Sequence, residues 1–285
     1  MVISWFPGHM AKTRRMIGEN LKQVDIAIEI ADARIPKSSR NPILAELLSG
    51  KPSLLVLNKT DLADAQMSLR WKEYISQNEK PALLCDCESG RGVEKIPDLV
   101  RDILEEKIKR NEEKGMNRAI KVMVLGVPNV GKSSLINRLS GRKSLKTEDR
   151  PGVTRDKSWT RLSSGIELMD MPGILWPKFD EEEIALHLAY TGAVKDDVID
   201  IEEVASKLAK ALAFRYENLL AERYHLLPED MEKELGFEIL QEIGRKRGFL
   251  LRGGEIDTLR TSKMLLGEFR AATIGKITLE VPPVE

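Results

Sequence analysis

The sequence is poor in the residues that build covalent or metal scaffolds: its 285 residues include two cysteines and three histidines. Cys85 and Cys87 stand two apart at the end of an apolar run. That is too close along the chain for an ordinary bridge, so they read as reduced thiols, consistent with a cytosol. His9, His187 and His225 are scattered, with no cysteine pair beside them, which excludes zinc-finger spacing. Net charge is missing too, since 45 Lys and Arg offset 45 Asp and Glu, and these totals carry no sign of a nucleic-acid partner. No apolar run approaches the roughly 18–20 residues of a membrane span. The opening MVISWFPGHMAKTRR lacks the apolar core of a secretory signal, and Pro7-Gly8 argues against an amphipathic transit helix. The expectation is a soluble, cytoplasmic chain with no membrane partner.

What the chain does have is enough apolar material for a buried core, 42% of its residues, and a length that favours two domains at about 100–200 residues each. Apolar runs at 25–30, 53–57, 81–85 and 120–125 read as strands, with helical spacing near 41–49, 64–78, 93–113 and 132–140 between them. Two further strands, 157–162 and 165–170, suggest a hairpin around Ser163-Ser164-Gly165. This alternation is the pattern of an α/β domain with a mostly parallel sheet and flanking helices. After about residue 178 helical spacing takes over, at 181–190, 201–223, 229–247 and 257–272. The predicted division is an α/β domain over 1–178 with an N-terminal arm, and an all-α domain over 179–285. Phe214, Tyr216, Leu219, Leu220 and Tyr224 are the expected core of the second.

Gly126-Val127-Pro128-Asn129-Val130-Gly131-Lys132-Ser133 fits G-x-x-x-x-G-K-S/T and lies between a strand and a helix, the context this phosphate-binding loop requires. Glycines let backbone N–H groups close around phosphate oxygens, Lys132 reaches the β- and γ-phosphates, and the Ser133 hydroxyl ligates Mg²⁺. The nucleotide contacts are expected on Asn129, Val130, Gly131, Lys132, Ser133 and Ser134. Asn58-Lys59-Thr60-Asp61 follows another strand. Its aspartate can accept two hydrogen bonds from guanine, whereas adenine would leave it unsatisfied, so the pair of motifs favours GTP over ATP. Asp170-Met171-Pro172-Gly173 supplies a carboxylate able to reach Mg²⁺ through water and an N–H for the γ-phosphate. Thr154, within Pro151-Gly152-Val153-Thr154-Arg155, is the candidate for a second hydroxyl on Mg²⁺.

These motifs resemble those of the translation-factor class of GTPases in a changed order, with NKTD first, then the phosphate-binding loop, Thr154 and the Asp170 motif. The chain therefore resembles a circularly permuted P-loop GTPase, an arrangement the fold tolerates because domain termini lie close together at the surface. The Ser-Ala-Lys that usually contacts the base is replaced by Cys85-Asp86-Cys87-Glu88-Ser89-Gly90-Arg91-Gly92, which leaves the backbone near Cys87 as the base contact. The Asp170–Gly173 loop leads directly into the helical domain, so loss of the γ-phosphate is expected to pass through that short connection. With Trp5-Phe6-Pro7-Gly8-His9-Met10-Ala11-Lys12 and Asp32-Ala33-Arg34-Ile35-Pro36, the sequence is similar to the ribosome biogenesis GTPase A family over roughly residues 4–276.

The resemblance implies GTP and GDP binding, a large ribosomal subunit precursor as partner and RNA binding by the helical domain. It also implies a protein that is monomeric off the particle. Ile174 stands where GTPases commonly carry a water-orienting glutamine, so slow intrinsic hydrolysis is expected. Family similarity assigns a catalytic role to His9, while Lys132 and Thr154 are expected to act in catalysis through the phosphates and Mg²⁺; the residues alone leave open a solvated or RNA-contacting His9. It likewise places K⁺ beside Asn129, the alternative being a loop-stabilising amide. Residues 245–276 carry a net charge of +5, with Arg245, Lys246, Arg247, Arg260, Lys263 and Arg270 as candidate RNA contacts. Lys12, Arg14 and Arg15 in the arm are a second candidate contact. The segment 180–203 carries −8 and is expected to avoid RNA, capping helices or facing solvent. The alternatives are a GTPase acting on tRNA or another RNA, and a free-standing metabolic NTPase.

Overall fold

The strand runs condense into one six-stranded sheet. In order along the chain the strands are β1 (Ile26–Asp32), β2 (Ser53–Asn58), β3 (Ala82–Leu84), β4 (Ile120–Leu125), β5 (Ser158–Arg161) and β6 (Ile166–Asp170). The computed structural model describes residues 7–116, 118–141, 158–175 and 181–283, with the backbone alone for 7–13 and 158. Across the sheet the order is β3-β2-β1-β4-β6-β5, parallel throughout except for β5, which runs antiparallel to β6 through the expected hairpin. Every residue of β1 is buried. Ile26, Ile28 and Ile30 pack on one side and Ala27 and Ala31 on the other, the period-2 alternation of a strand covered on both faces.

Helices α1 (Pro7–Leu21), α2 (Pro42–Leu47), α3 (Ala65–Asn78), α4 (Ile96–Ile103), α5 (Glu105–Glu113) and α6 (Lys132–Ser140) cover the sheet. The arm is thus a helix, because proline at the first helical position sacrifices no hydrogen bond. Its Ile17 and Leu21 pack with Leu44, Met123 and Met169. Asn41 caps α2 and Asp64 caps α3, each side chain accepting from an N–H of the first turn. The expected helix 93–113 breaks at Leu104.

The helical region comprises α7 (Glu182–Tyr190), α8 (Ile201–Arg215), α9 (Glu217–Tyr224), α10 (Pro228–Met231), α11 (Gly236–Lys246) and α12 (Thr258–Arg270). Two predicted helices divide, at Tyr216 and after Met231. Leu220 and Tyr224 are buried as expected, but Phe214 is 85% exposed and does not belong to the core. Asp200 caps α8 through Glu202 N and Glu203 N, one of the roles foreseen for the acidic segment.

After α12 the chain turns back to the sheet as a strap. Ile277 N donates to Leu62 O (3.2 Å) and Leu279 N to Arg34 O (2.8 Å). Trp71 Nε1 donates to Glu280 O (3.0 Å). The buried Glu280 carboxylate accepts from Ser38 N (3.0 Å) and Ser38 Oγ, and lies 3.0 Å from His187 Nδ1. The last residues thus join the loops after β1 and β2 to α7.

Candidate guanine-nucleotide site

The register of the parallel ladder brings the motifs to one edge of the sheet: Asp32 pairs with Asn58, and Val124 with Asp170. The phosphate-binding loop leaves β4, NKTD leaves β2 and DMPG leaves β6, so three segments distant in sequence open at the carboxyl ends of the strands. Asn58, the first residue of NKTD, ties the phosphate-binding loop to the loop after β3. Its Nδ2 donates to Val130 O (2.7 Å), and its Oδ1 accepts from Cys87 N (3.0 Å). The loop after β3 and the phosphate-binding loop therefore share one buried amide. Gly131 makes this possible: it has φ of +98°, and a Cβ there would lie 2.3 Å from Asn58 Nδ2.

Lys132 begins α6 and is 7% exposed. Its Nζ donates to Val127 O (2.7 Å) and Gly126 O (3.2 Å). Loss of hydration pulls the ammonium from its ordinary 10.5 down to about 8; Asp170 opposes that shift, and the positive charge of Lys59 adds to it. Such a cation, held by carbonyls and short of counter-charge, is suited to receive phosphate. Asp170 shows the complementary deficit. Burial holds its carboxyl above the ordinary carboxylate value, and Oδ1 has no hydrogen-bond partner among the described residues. An orphaned carboxylate oxygen that acts on the Lys132 ammonium at the start of α6 fits a hydrated Mg²⁺. Gly173 approaches so closely that a Cβ would lie 2.9 Å from both Lys132 Nζ and Pro128 Cα.

Burial, and then Asp86, hold the Asp61 carboxyl above the ordinary value, a condition that two guanine N–H donors would relieve. Thr60 Oγ1 fastens the motif to Cys85 O (3.0 Å). Burial also pushes the Cys87 thiol up to about 12, so at neutral pH this residue has its backbone rather than a thiolate to offer. Sequence reasoning missed Arg138, whose guanidinium reaches Cys87 O (3.4 Å) and Glu88 O and holds the base loop against α6. An arginine two turns after the phosphate-binding lysine was the only available signal.

Asn129, at φ of +60°, donates from Nδ2 to Gly192 O (2.7 Å). The phosphate-binding loop thereby touches the turn after α7. A cavity of about 640 Å³ opens here, walled by Lys59, Asn129, Arg34, Gly192, Lys195 and Arg270. His9 and Lys12 lie on the helical backbone of α1, but their side chains, and Thr154 altogether, lie outside the described residues.

A family model described as 50S ribosome-binding GTPase matches residues 121–222, from the phosphate-binding strand onward and thus without NKTD, as the permuted order requires. Ribosome biogenesis GTPase A of Priestia megaterium is 43% identical over 286 residues, covering 99% of this chain and 98% of that protein. The chain belongs to the ribosome biogenesis GTPase A family. A fish relative named mitochondrial ribosome-associated GTPase 1, from Ictalurus punctatus, is 40% identical over 98% of this chain and 92% of its own length. Among solved structures, GNP-bound YlqF from T. maritima has the same fold, with a TM-score of 0.63 at 23% identity over 96% of this chain and 100% of that one.

The basic residues expected to contact RNA divide into two groups. Arg260 stacks on Phe249 (4.0 Å to the ring centroid) at the surface, and Lys263 is exposed on the same helix. Arg245 pairs with Glu242, Lys246 lies 3.6 Å from Asp230, Arg14 pairs with Glu46 (2.6 Å) and Arg15 with Glu19 (2.9 Å). The Arg14 and Arg15 pairs are exposed on both sides and hold their cations weakly, whereas Asp230 and Glu242 are largely covered. Arg270 departs from the sequence expectation. Its guanidinium binds Asp196 (2.7 Å), Ala189 O (2.9 Å) and Tyr190 O (3.0 Å), closing the end of α7. Arg247 lies over Tyr224 (5.1 Å) and donates to Arg223 O (3.3 Å). Both are committed to internal contacts. The Asp170 loop also has a route to the rest of the fold besides its direct connection, since Asn41 Nδ2 donates to Ile174 O (3.1 Å).

Proposed function

We propose that this chain hydrolyses GTP as an assembly factor for the large ribosomal subunit. It binds the precursor particle in its GTP form and leaves after hydrolysis. The observation that carries this reading is the convergence of the NKTD, phosphate-binding and DMPG loops beside a helical region that Asn129 already touches through Gly192. Residues 1–178 act as the permuted GTPase domain and 179–285 as the RNA-binding domain, with the protein working in the cytoplasm and remaining monomeric off the particle. Arg260 and Lys263, with Arg245 and Lys246, are favoured as rRNA contacts because their charges reach solvent; Lys12, Arg14 and Arg15 serve as the second contact. Ser133, Thr154 and Asp170 are the residues that would hold Mg²⁺, which would supply positive charge to the nucleotide phosphates. Asn129 would help to hold K⁺, which would supply a further positive charge beside the phosphates. His9 acts on the attacking water when the particle positions α1.

Gradient sedimentation of lysate with GTP, a non-hydrolysable analogue or GDP tests the reading. Co-migration with large-subunit particles in the analogue and its loss in GDP are expected. Persistent migration as free protein would overturn the assignment, and co-migration with tRNA or another RNA would favour that alternative. Particle-stimulated turnover should fall in His9→Ala and when Na⁺ replaces K⁺; unchanged rates remove those two roles.

A further inference from the structure

Asp32 ends β1 beside the NKTD strand, and it lies outside the three loops assigned to the nucleotide. The residue is 2% exposed, yet its carboxylate serves two cations. Arg34 Nε donates to Oδ1 (2.9 Å) and Nη2 to Oδ2 (2.7 Å), a bidentate pair, while Lys59 Nζ lies 3.2 Å from Oδ2. The Arg34 N–H adds a second bond to Oδ1 (3.0 Å). Arg34 is itself held from behind: Nη1 donates to Arg270 O (3.3 Å), and the guanidinium lies over Phe269, 5.6 Å from the ring centroid. Lys59 has φ of +63°, a left-handed conformation that lysine adopts only where its surroundings enforce it.

We propose that Asp32 is a positioning residue for guanine recognition. It draws the Lys59 amine to one side, so that the four-carbon stem forms a fixed apolar ledge on the cavity wall where a purine ring can lie. A lysine stem ordered before the ligand arrives spares the complex an ordering cost corresponding to about tenfold in affinity. One carboxylate between two cations also leaves the cluster net positive, so the cavity stays favourable to phosphate. Through Arg34 the same carboxylate ties the base-recognition loop to α12. The proposal rests on reading NKTD as the guanine site.

The test is a double-mutant cycle on GDP affinity of the full chain, with Asp32→Asn, Lys59→Met and the pair, folding being checked by circular dichroism. Asp32→Asn should bind GDP about tenfold more weakly, and in the Lys59→Met background it should change affinity less than twofold. Affinity within twofold of the parent in folded Asp32→Asn, or fully additive losses, would overturn the proposal. Asp32→Asn leaves Arg34 buried without its partner, so it could fail to fold. The parent itself then decides. In the GDP complex, ¹H–¹⁵N spectra of lysine ammonium groups should show a slowly exchanging Lys59 signal, identified by its loss in Lys59→Arg. A Lys59 amine exchanging like a surface lysine would overturn the positioning role. A parent that binds ADP as well as GDP would overturn the guanine reading itself, and this proposal with it.

Discussion

Lys132 should make the nucleotide-free protein more stable as the pH rises, against the usual behaviour of lysines. In the fold its ammonium gives up its proton near pH 8, whereas in the unfolded chain it holds it to 10.5. Between these values the unfolded chain binds more protons, so this residue's contribution to stability increases with pH. Below about pH 8 the cost of the buried charge is fully present, and by pH 10.5 it has largely gone. At about 1.4 kcal/mol per pH unit, the full difference is about 3 kcal/mol, with an error of about half that. Cys85 and Cys87 act the other way, since burial raises their thiols and stability is lost as pH passes the ordinary thiol value. Comparing the parent with Lys132→Met cancels them. In urea unfolding without nucleotide, the stability of Lys132→Met relative to the parent should fall by about 2–3 kcal/mol between pH 7 and pH 10. Nucleotide phosphate restores the proton, so GDP affinity of the parent should decline above about pH 8, by up to about tenfold per pH unit. Parallel stability curves for the two proteins, or GDP affinity flat from pH 7 to 9.5, would refute the account of Lys132 as a hydration-starved cation.

Two other substitutions probe separate parts of the site. Asp61→Asn should shift base preference from GTP toward xanthosine triphosphate, read by competition against a fluorescent nucleotide; an unaltered preference means that NKTD does not read the base. Glu280→Ala strands Ser38 N and Ser38 Oγ beneath the strap, and should cost about 2–4 kcal/mol in urea unfolding. If it costs under about 0.5 kcal/mol, the strap does not hold the helical region to the sheet.

The strands and the order of the nucleotide motifs were legible because each is a local signal. β1, β2 and β4 are short apolar runs, and the spacing of the phosphate-binding loop serves a backbone geometry confined to eight residues. Helix ends were less legible: Leu104 and Tyr216 break helices whose apolar period runs on, because tertiary packing rather than propensity decides where a helix stops. Charge was least legible. A sequence count treats Arg245, Arg260 and Arg270 alike, yet Arg260 faces solvent while Arg270 closes α7 against Asp196.

By itself, the sequence determined that a guanine-nucleotide site would be built, from which loops, and in a permuted order, since those features depend on residue type and short spacing. Tertiary structure alone decided how the loops are joined. Asn58 bridges two loops, Asn129 reaches Gly192, and Glu280 returns across 242 positions to Ser38. Asp32 holds Lys59 because neighbouring strands set their ends side by side. Each contact joins residues far apart in the chain, and hydrogen bonds and ion pairs act over a few ångströms of space, whatever the number of residues between the partners.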